Sequence, residues 1–233
     1  MELRVDNVTA GYGDITVLRD ISICVPTGEI LGVLGRNGMG KTTLIRTIAG
    51  LIKPTSGSIK LDGQNITHLP TYERARRGMT TVVQGRGNFP FLTIAENLAM
   101  GHIAAGRAKR SRIDEVLHYF PRLAERLNQA AGTMSGGEQQ MIAIGRGLMT
   151  DPTIMLLDEP SDGIMPVLVK QIAEILVEIN RREKMTIIIV EQNVPMVFSM
   201  SKRCVLLEKG RVVAEGSSEE LAGTEIMHEY LAI

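Results

Sequence analysis

The sequence predicts an α/β fold with a mixed central sheet, an N-terminal antiparallel β subdomain and an inserted helical subdomain. Two apolar runs, residues 29–34 and 153–157, are typical of strands that are buried on both faces of a parallel sheet. The first is followed by a glycine-rich loop and a segment with helical spacing, residues 41–51. We expect a single domain over residues 1–233, with the helical subdomain at approximately residues 86–150.

The N-terminal strands are predicted to be antiparallel. Residues 3–8 alternate in polarity like a strand, and residues 21–25 form another. Residues 57–61 and the turn Asp62-Gly63 are predicted to add antiparallel sheet beside the strand at residues 29–34.

A helical block begins at Thr93, where Thr93-x-x-Glu96 forms a capping box, and it is predicted to break at Gly106 and Pro121. The basic run at residues 107–112 is predicted to be a solvated helix start. Because this block interrupts the alternation of strands and helices, it indicates an inserted subdomain.

The C-terminal third is predicted to contain an amphipathic helix, a hairpin and a short final helix. The helix covers residues 167–182, and its apolar positions face inward: Leu168, Ile172, Ile175, Leu176 and Ile179. Residues 205–208 and 211–215, joined at Lys209-Gly210, form the hairpin. Ser217-x-x-Glu220 caps the last helix.

Composition favours a soluble domain with an ordinary surface. Of the 233 residues, 44% are hydrophobic, which is enough for a full core. Lys and Arg number 26 and Asp and Glu 26, so nothing indicates a nucleic-acid partner or an anionic lipid surface. Cys24 and Cys204 lack metal-ligand spacing and suit a reducing cytoplasm. We expect no signal peptide, and the longest apolar runs fall short of the ~18 residues of a membrane helix.

The loop after the first apolar run carries the clearest motif. Gly35-Arg36-Asn37-Gly38-Met39-Gly40-Lys41-Thr42 matches the phosphate-binding P-loop pattern, and Thr43 follows in the same predicted ATP-binding segment. Its glycines let the backbone approach phosphate oxygens at a helix N-terminus. Lys41 is predicted to reach the β- and γ-phosphates, and the Thr42 hydroxyl to ligate Mg²⁺.

An acidic pair follows the second apolar run. Asp158 lies at the carboxyl end of that predicted strand, where open α/β sheets bind ligands, and can hold Mg²⁺ through water. Glu159 is then placed to orient or deprotonate an attacking water. The alternative is that the pair forms an ordinary turn at the end of the strand, before Pro160. The presence of a P-loop in the same chain favours the nucleotide site over this alternative.

A second glycine-containing helix start follows Met134. Ser135-Gly136-Gly137-Glu138 contains a capping box, which alone explains Ser135 and Glu138. A capping box does not need glycines, however, and two glycines at the first helical positions expose N–H groups to a closely approaching partner.

Together these motifs resemble the ATP-binding cassette (ABC) family, in which two cassettes clamp ATP between them. The resemblance implies that Ser135, Gly136, Gly137 and Glu138 contact the ATP held by a partner subunit. It also assigns three further positions: Tyr12 would stack on adenine, Gln84 would touch Mg²⁺ and link the site to a transport partner, and Gln192 would lie near the γ-phosphate as the switch residue.

The chain departs from the family pattern at several positions. Met134 replaces the commoner leucine and Glu138 the commoner glutamine, and Gln192 stands where most members have histidine. Glutamine can donate a hydrogen bond to phosphate but does not titrate near pH 7. The loop at residues 160–164 lacks the usual aspartate four residues into it.

The segments 85–87, 95–101, 135–145 and 191–193 resemble the ATPase subunits of branched-chain amino acid importers. That resemblance implies a second ATPase subunit, identical or different, two transmembrane permease subunits and, indirectly, a periplasmic binding protein. It places the chain peripherally at the cytoplasmic face of the inner membrane. Related importers take urea, short amides or aromatic acids. A soluble cassette ATPase, such as one of iron–sulfur cluster assembly, is the alternative of a different class.

One aromatic loop is a candidate partner surface. Residues 85–92 carry Phe89 and Phe91 around Pro90, directly after Gln84. These rings either pack under the helical subdomain or receive a short cytoplasmic helix of a membrane subunit.

Overall fold

The computed structural model describes residues 1–105 and 111–224, and within them ten strands form two sheets. The strands are β1 (Leu3–Tyr12), β2 (Ile15–Val25), β3 (Ile30–Leu34), β4 (Ser56–Leu61), β5 (Gln64–Asn65), β6 (Met79–Val82), β7 (Ile154–Asp158), β8 (Thr186–Glu191), β9 (Arg203–Glu208) and β10 (Arg211–Ser217). The helices are α1 (Lys41–Ile48), α2 (Thr71–Arg76), α3 (Ile94–Ala105), α4 (Ile113–Tyr119), α5 (Pro121–Ala124), α6 (Gly136–Leu148), α7 (Pro166–Glu183), α8 (Val194–Met200) and α9 (Ser218–Ala222), with a 3₁₀ turn at Ala131–Thr133.

The larger sheet has the strand order β10-β9-β3-β8-β7-β6. Its strands run parallel except β10, which pairs antiparallel with β9. The predicted mixed sheet is therefore confirmed. Strand β3 lies between β8 and β9, so the loops after β3, β7 and β8 leave the sheet at the same edge.

Both faces of this sheet are buried, which explains the uninterrupted apolar runs. Along β7, Met155 and Leu157 join a core with the helices α6 and α7, whereas Ile154 and Leu156 join a core with α1 and the smaller sheet. The same alternation recurs along β8. Strands covered on both sides need apolar residues at every position.

The smaller sheet is antiparallel and has the order β2-β1-β4-β5. The expectation that residues 57–61 lie beside the P-loop strand is wrong, because β4 pairs with β1 and β5, whereas β3 pairs with β8 and β9. The first two strands are also longer than predicted. They continue through a tight hairpin in which Tyr12 pairs with Ile15, so Tyr12 is the last residue of β1.

Helices α3 to α6 lie between β6 and β7 in the chain. The capping box at the start of α3 is confirmed, since the Thr93 amide donates to Glu96 Oε2 at 2.7 Å and the Glu96 amide donates to Thr93 Oγ1 at 3.1 Å. The break at Pro121 is also present, as the first residue of α5. The break predicted at Gly106 lies outside the described residues. Within the described residues, no helix combines the length and hydropathy needed to cross a bilayer.

Arg112 corrects one sequence expectation. Residues 107–110 lie outside the described part of the chain, but Arg112 is buried and not solvated. Its guanidinium lies 2.6 Å from Glu115, 2.6 Å from Glu183 and 3.5 Å from Asp151. Three carboxylates compensate the burial of this charge, and two of them come from distant parts of the sequence.

The C-terminal elements agree with the prediction. In α7 the five apolar positions expected to face inward are buried. Strands β9 and β10 form the hairpin. The Ser217 side chain caps α9, and Glu220 completes the capping box.

Candidate active site

The P-loop joins β3 to α1. Gly40 is the N-cap of α1 and has a φ of 105°, a conformation that favours glycine. Among the described residues, no side chain caps the first turn of this helix. The first-turn N–H groups and the helix dipole therefore form an anion site that has no competing side chain.

Lys41 is buried at the base of this loop. Its ammonium nitrogen donates to the carbonyl oxygens of Gly35 at 2.6 Å and Arg36 at 3.0 Å. It also lies 2.9 Å from Glu159 Oε1, and both side chains are at most 9% exposed. The lysine thus links the P-loop to the residue that follows β7.

Thr42 and Asp158 provide a pair of oxygen ligands. The Thr42 hydroxyl donates to Asp158 Oδ1 at 3.0 Å across the gap between α1 and β7. Burial raises the pKa of Asp158, the Thr42 hydrogen bond opposes the rise, and the Glu159 carboxylate adds to it. A hydroxyl and a carboxylate in a buried, partly uncompensated position fit a Mg²⁺ ion, which prefers oxygen ligands.

Glu159 occupies an unusual backbone conformation directly after β7. Its φ is 47°, in the left-handed region that non-glycine residues rarely adopt. Its amide donates to the Val190 carbonyl at 2.9 Å, and Gln84 Nε2 donates to its Oε2 at 3.0 Å. Both carboxylate oxygens are therefore engaged, one by Lys41 and one by Gln84. Backbone strain that the surrounding contacts maintain is frequent at functional sites.

These residues surround a cavity of about 370 Å³. Nine predicted site residues line it: Asn37, Gly38, Gly40, Lys41, Thr42, Thr43, Gln84, Glu159 and Gln192. Val17 and Asp162 also line it, although the sequence analysis did not select them. Of the other predicted ATP contacts, Gly35, Arg36 and Met39 belong to the same loop but do not line the cavity.

Tyr12 also lies outside this lining. Its ring is 45% exposed at the end of β1, and its hydroxyl accepts a hydrogen bond from Arg46 Nη1 at 3.3 Å. Arg46 belongs to α1, so the contact places Tyr12 over the exposed side of the P-loop helix.

Gln192 follows β8 and is exposed to the cavity. The backbone amide of Gln192 donates to the carboxylate of Glu191 at 3.0 Å. Glu191 was missed as a site residue. Its signal in the sequence is a charged residue at the end of an otherwise apolar strand.

The helix start at Ser135 does not line the cavity. Ser135 is the N-cap of α6, and the capping box with Glu138 is confirmed. Hydrogen bonds from Ser135 hold the pKa of Glu138 below its usual range. A Cβ on Gly137 would approach Leu168 Cδ1 to 2.4 Å, so close packing of α6 against α7 requires this glycine. Gly136 lies beside the guanidinium of Arg86 and the Gly163 carbonyl.

A family model described as an ABC transporter matches residues 18–162, more than half of the chain. The chain belongs to the ABC transporter family. Membership of this family implies nucleotide binding and ATP hydrolysis coupled to transport, and the convergence of Lys41, Thr42, Asp158 and Glu159 agrees with it.

Similar proteins include ATP-binding subunits and cassettes of ABC transporters. A high-affinity branched-chain amino acid transport ATP-binding protein, BraG of Pseudomonas aeruginosa, is 44% identical, and the alignment covers 94% of each chain. A solved ABC transporter cassette in its ADP conformation is 27% identical with a TM-score of 0.88, covering 100% of this chain and 99% of that chain. A dimeric cassette in a post-hydrolysis state, bound to ADP and phosphate, is 26% identical with a TM-score of 0.82, covering 93% of this chain and 98% of that chain.

The cassette also presents an aromatic loop after Gln84. Gly85, Arg86 and Gly87 all have positive φ values and turn the chain sharply. Phe91 is 95% exposed, whereas Phe89 is 42% exposed and lies under the guanidinium of Arg146, 5.3 Å from the ring centre.

Buried Asn97 maintains the shape of this loop. Its Oδ1 accepts from the Phe89 amide, and its Nδ2 donates to three carbonyls, those of Phe89, Leu92 and Thr93. The interpretation that both rings form core under the helices is therefore wrong for Phe91, which a defined loop holds in solvent.

Proposed function

We propose that this chain hydrolyses ATP to power an importer of branched-chain amino acids. The observation that carries the proposal is the cavity lined by the P-loop lysine, Glu159 and the switch glutamine, with Asp158 hydrogen-bonded to the cavity residue Thr42. The similarity to BraG over 94% of the chain supports branched-chain amino acids as the substrate class.

Asp158 and the residues that line the cavity have separate roles in the reaction. Thr42, Asp158 and Gln84 would hold Mg²⁺, which neutralises the developing charge on the phosphates when it is bound. Lys41 and the P-loop amides bind the phosphates. Glu159 orients the attacking water and accepts its proton, and it can do so once Lys41 has exchanged the carboxylate for a phosphate oxygen.

The other side of the nucleotide is supplied by a second ATPase subunit. The Ser135–Glu138 segment does not line the cavity of its own chain, which supports a role on the ATP of a partner. The dimeric cassette bound to ADP and phosphate supports the pairing of two such subunits. Gly136 and the N-terminus of α6 would then approach the partner's γ-phosphate.

The membrane partners are two permease subunits, with a periplasmic binding protein acting through them. Exposed Phe91 and half-exposed Phe89 form an apolar patch that can receive a cytoplasmic helix of a permease. Through Gln84, two residues before Arg86, this patch is connected to Glu159. The chain would accordingly lie at the cytoplasmic face of the inner membrane.

Uptake by intact cells tests this proposal. Deleting the gene should abolish uptake of labelled leucine, isoleucine and valine, and wild-type chain but not Lys41→Ala should restore it. If the deletion strain loses uptake of urea, short amides or aromatic acids and still takes up leucine, the substrate assignment is wrong. If no uptake changes, and the chain co-purifies with soluble scaffold proteins, the chain serves iron–sulfur assembly or a similar soluble process instead.

A further inference from the structure

Glu191 is a buried carboxylate at the end of β8, with 1% of its surface exposed. Its Oε1 accepts a hydrogen bond from the Ser161 amide at 2.7 Å. Its Oε2 accepts from the amides of Gln192 at 3.0 Å and Asn193 at 3.2 Å. Both oxygens thus accept hydrogen bonds from backbone N–H groups.

Three backbone amides stabilise the buried Glu191 carboxylate. Within residues 1–105 and 111–224, no lysine or arginine forms an ion pair with it. Burying a carboxylate without compensation is costly, and hydrogen bonds to the ionised form are stronger than those between neutral groups. The side chain is therefore held in one position, and it holds its three donors in return.

The donors come from two different loops of the active site. Ser161 lies two residues after Glu159, and Gln192 is the switch residue that lines the cavity. The main chain of Glu191 reaches a third loop, because its carbonyl accepts from the Gly35 amide at 3.3 Å. Glu191 therefore contacts the P-loop, the loop after β7 and the loop after β8, which contains Gln192 and Asn193 and is called the switch loop below.

We propose that Glu191 is the positioning residue that sets the separation between Glu159 and Gln192 across the γ-phosphate site. This rests on the proposed ATPase function. Glu191 does not touch the reacting atoms. It acts by fixing the relative positions of the two loops that carry Glu159 and Gln192. Displacements of about 1 Å are sufficient to impair a catalytic arrangement.

The substitution Glu191→Gln tests this arrangement with little change in shape. The amide retains one acceptor oxygen for the two N–H groups of the switch loop, but its NH₂ group cannot accept from Ser161. The loop after β7 is then released while the P-loop is unchanged. Glu191→Asp keeps the charge but shortens the side chain, and it serves if the glutamine variant does not fold.

The experiment compares kcat and KM for ATP in the complete transporter, together with nucleotide binding and the Tm of the full chain. We expect Glu191→Gln to lower kcat by about tenfold to a hundredfold while ATP binding stays within about twofold. Adding Gln192→Ala should then cause little further loss, because both changes impair the same arrangement.

Glu220→Gln is the matched control. It also removes a carboxylate oxygen from a backbone amide, that of Ser217 in the α9 cap, but far from the cavity, and kcat should not change. A wild-type kcat in both Glu191 variants overturns the proposal, as does a double variant whose losses add in full. If wild-type chain itself hydrolyses no ATP in the transporter, the proposed function fails instead, so the two failures are distinguishable.

Discussion

The ammonium nitrogen of Lys41 lies 2.9 Å from Oε1 of Glu159, and both side chains are almost completely buried. The residue predicted to bind phosphate is thereby paired with the residue predicted to activate water. In the proposed mechanism, a phosphate oxygen that binds Lys41 would release Glu159 to activate the water. If Glu159 loses its charge, Lys41 keeps only its hydrogen bonds to the carbonyls of Gly35 and Arg36. If Lys41 is removed, Glu159 keeps the hydrogen bond from Gln84.

The first prediction separates these two roles. Glu159→Gln should retain ATP binding and reduce turnover by at least about a hundredfold, the typical loss of a general base. Lys41→Ala should instead lose ATP binding, because it removes the buried cation of the P-loop. Nucleotide binding by the isolated chain and hydrolysis by the complete transporter measure the two effects.

Glu219→Gln, an exposed carboxylate in α9, is the control for the first prediction and should leave both measurements unchanged. Near-wild-type hydrolysis by Glu159→Gln would contradict the assignment of the water-activating residue.

The second prediction concerns the switch. Gln192→His should be tolerated, because histidine can donate to the same phosphate oxygen. Gln192→Ala should reduce hydrolysis without abolishing ATP binding, since the P-loop is intact. Steady-state hydrolysis across pH 6 to 8 is informative, because only the histidine variant introduces a side chain that titrates in that range. If Gln192→Ala hydrolyses ATP at the wild-type rate, the residue has no role in turnover.

The third prediction concerns the aromatic loop. Phe91→Ala should weaken association with the permease subunits by at least about 2 kcal/mol, the typical cost of truncating an anchor aromatic. Because Phe91 is 95% exposed, its Tm and ATP binding should not change. Phe89→Ala should weaken association too, and it should also cost some stability through the lost contact with Arg146.

Val213→Ala is the control, because Val213 is as exposed as Phe89 but lies on β10. Normal assembly of both phenylalanine variants with the permeases would exclude the loop as a docking surface.

The fourth prediction concerns pH. Burial raises the pKa of Asp158 in the folded chain, so the folded chain holds this proton more tightly than the unfolded chain. The resulting stability is fully present below the ordinary pKa and is lost as the pH rises through the raised value. Asp158→Asn, which keeps an acceptor for Thr42, should therefore stabilise the Mg²⁺-free chain at pH 7.

The variant should have a higher Tm than wild type at pH 7, and this gain should shrink as the pH falls towards the ordinary pKa of an aspartate, about 4. Thermal unfolding without nucleotide or Mg²⁺ measures this. Asp14→Asn, at an exposed turn, is the control and should leave Tm at pH 7 unchanged. A variant that is less stable than wild type at pH 7 would show that the carboxylate is adequately compensated.

What could be predicted from the sequence was local. The P-loop and the capping boxes at Thr93, Ser135 and Ser217 depend on residues within a few positions of one another. Arg112 was misjudged because a basic run normally lies in solvent, and two of its three acidic partners, Asp151 and Glu183, come from distant elements.

Non-local contacts explain the other omissions. The role of Glu191 depends on Ser161, which is 30 residues earlier in the chain. Val17 has no recognisable signal at all, because an ordinary strand valine reaches the cavity only through the way the two sheets meet.

The central position of β3 has a consequence for how the chain is made. Both neighbours of this strand, β8 and β9, are synthesised more than 150 residues after it, and the family-matched segment 18–162 contains neither. At about 5–20 residues per second, the P-loop leaves the ribosome about 10–35 s before its strand can be completed. Such long-range pairing also folds slowly. A nascent chain ending at residue 185 would carry every residue of the P-loop and still have no nucleotide site.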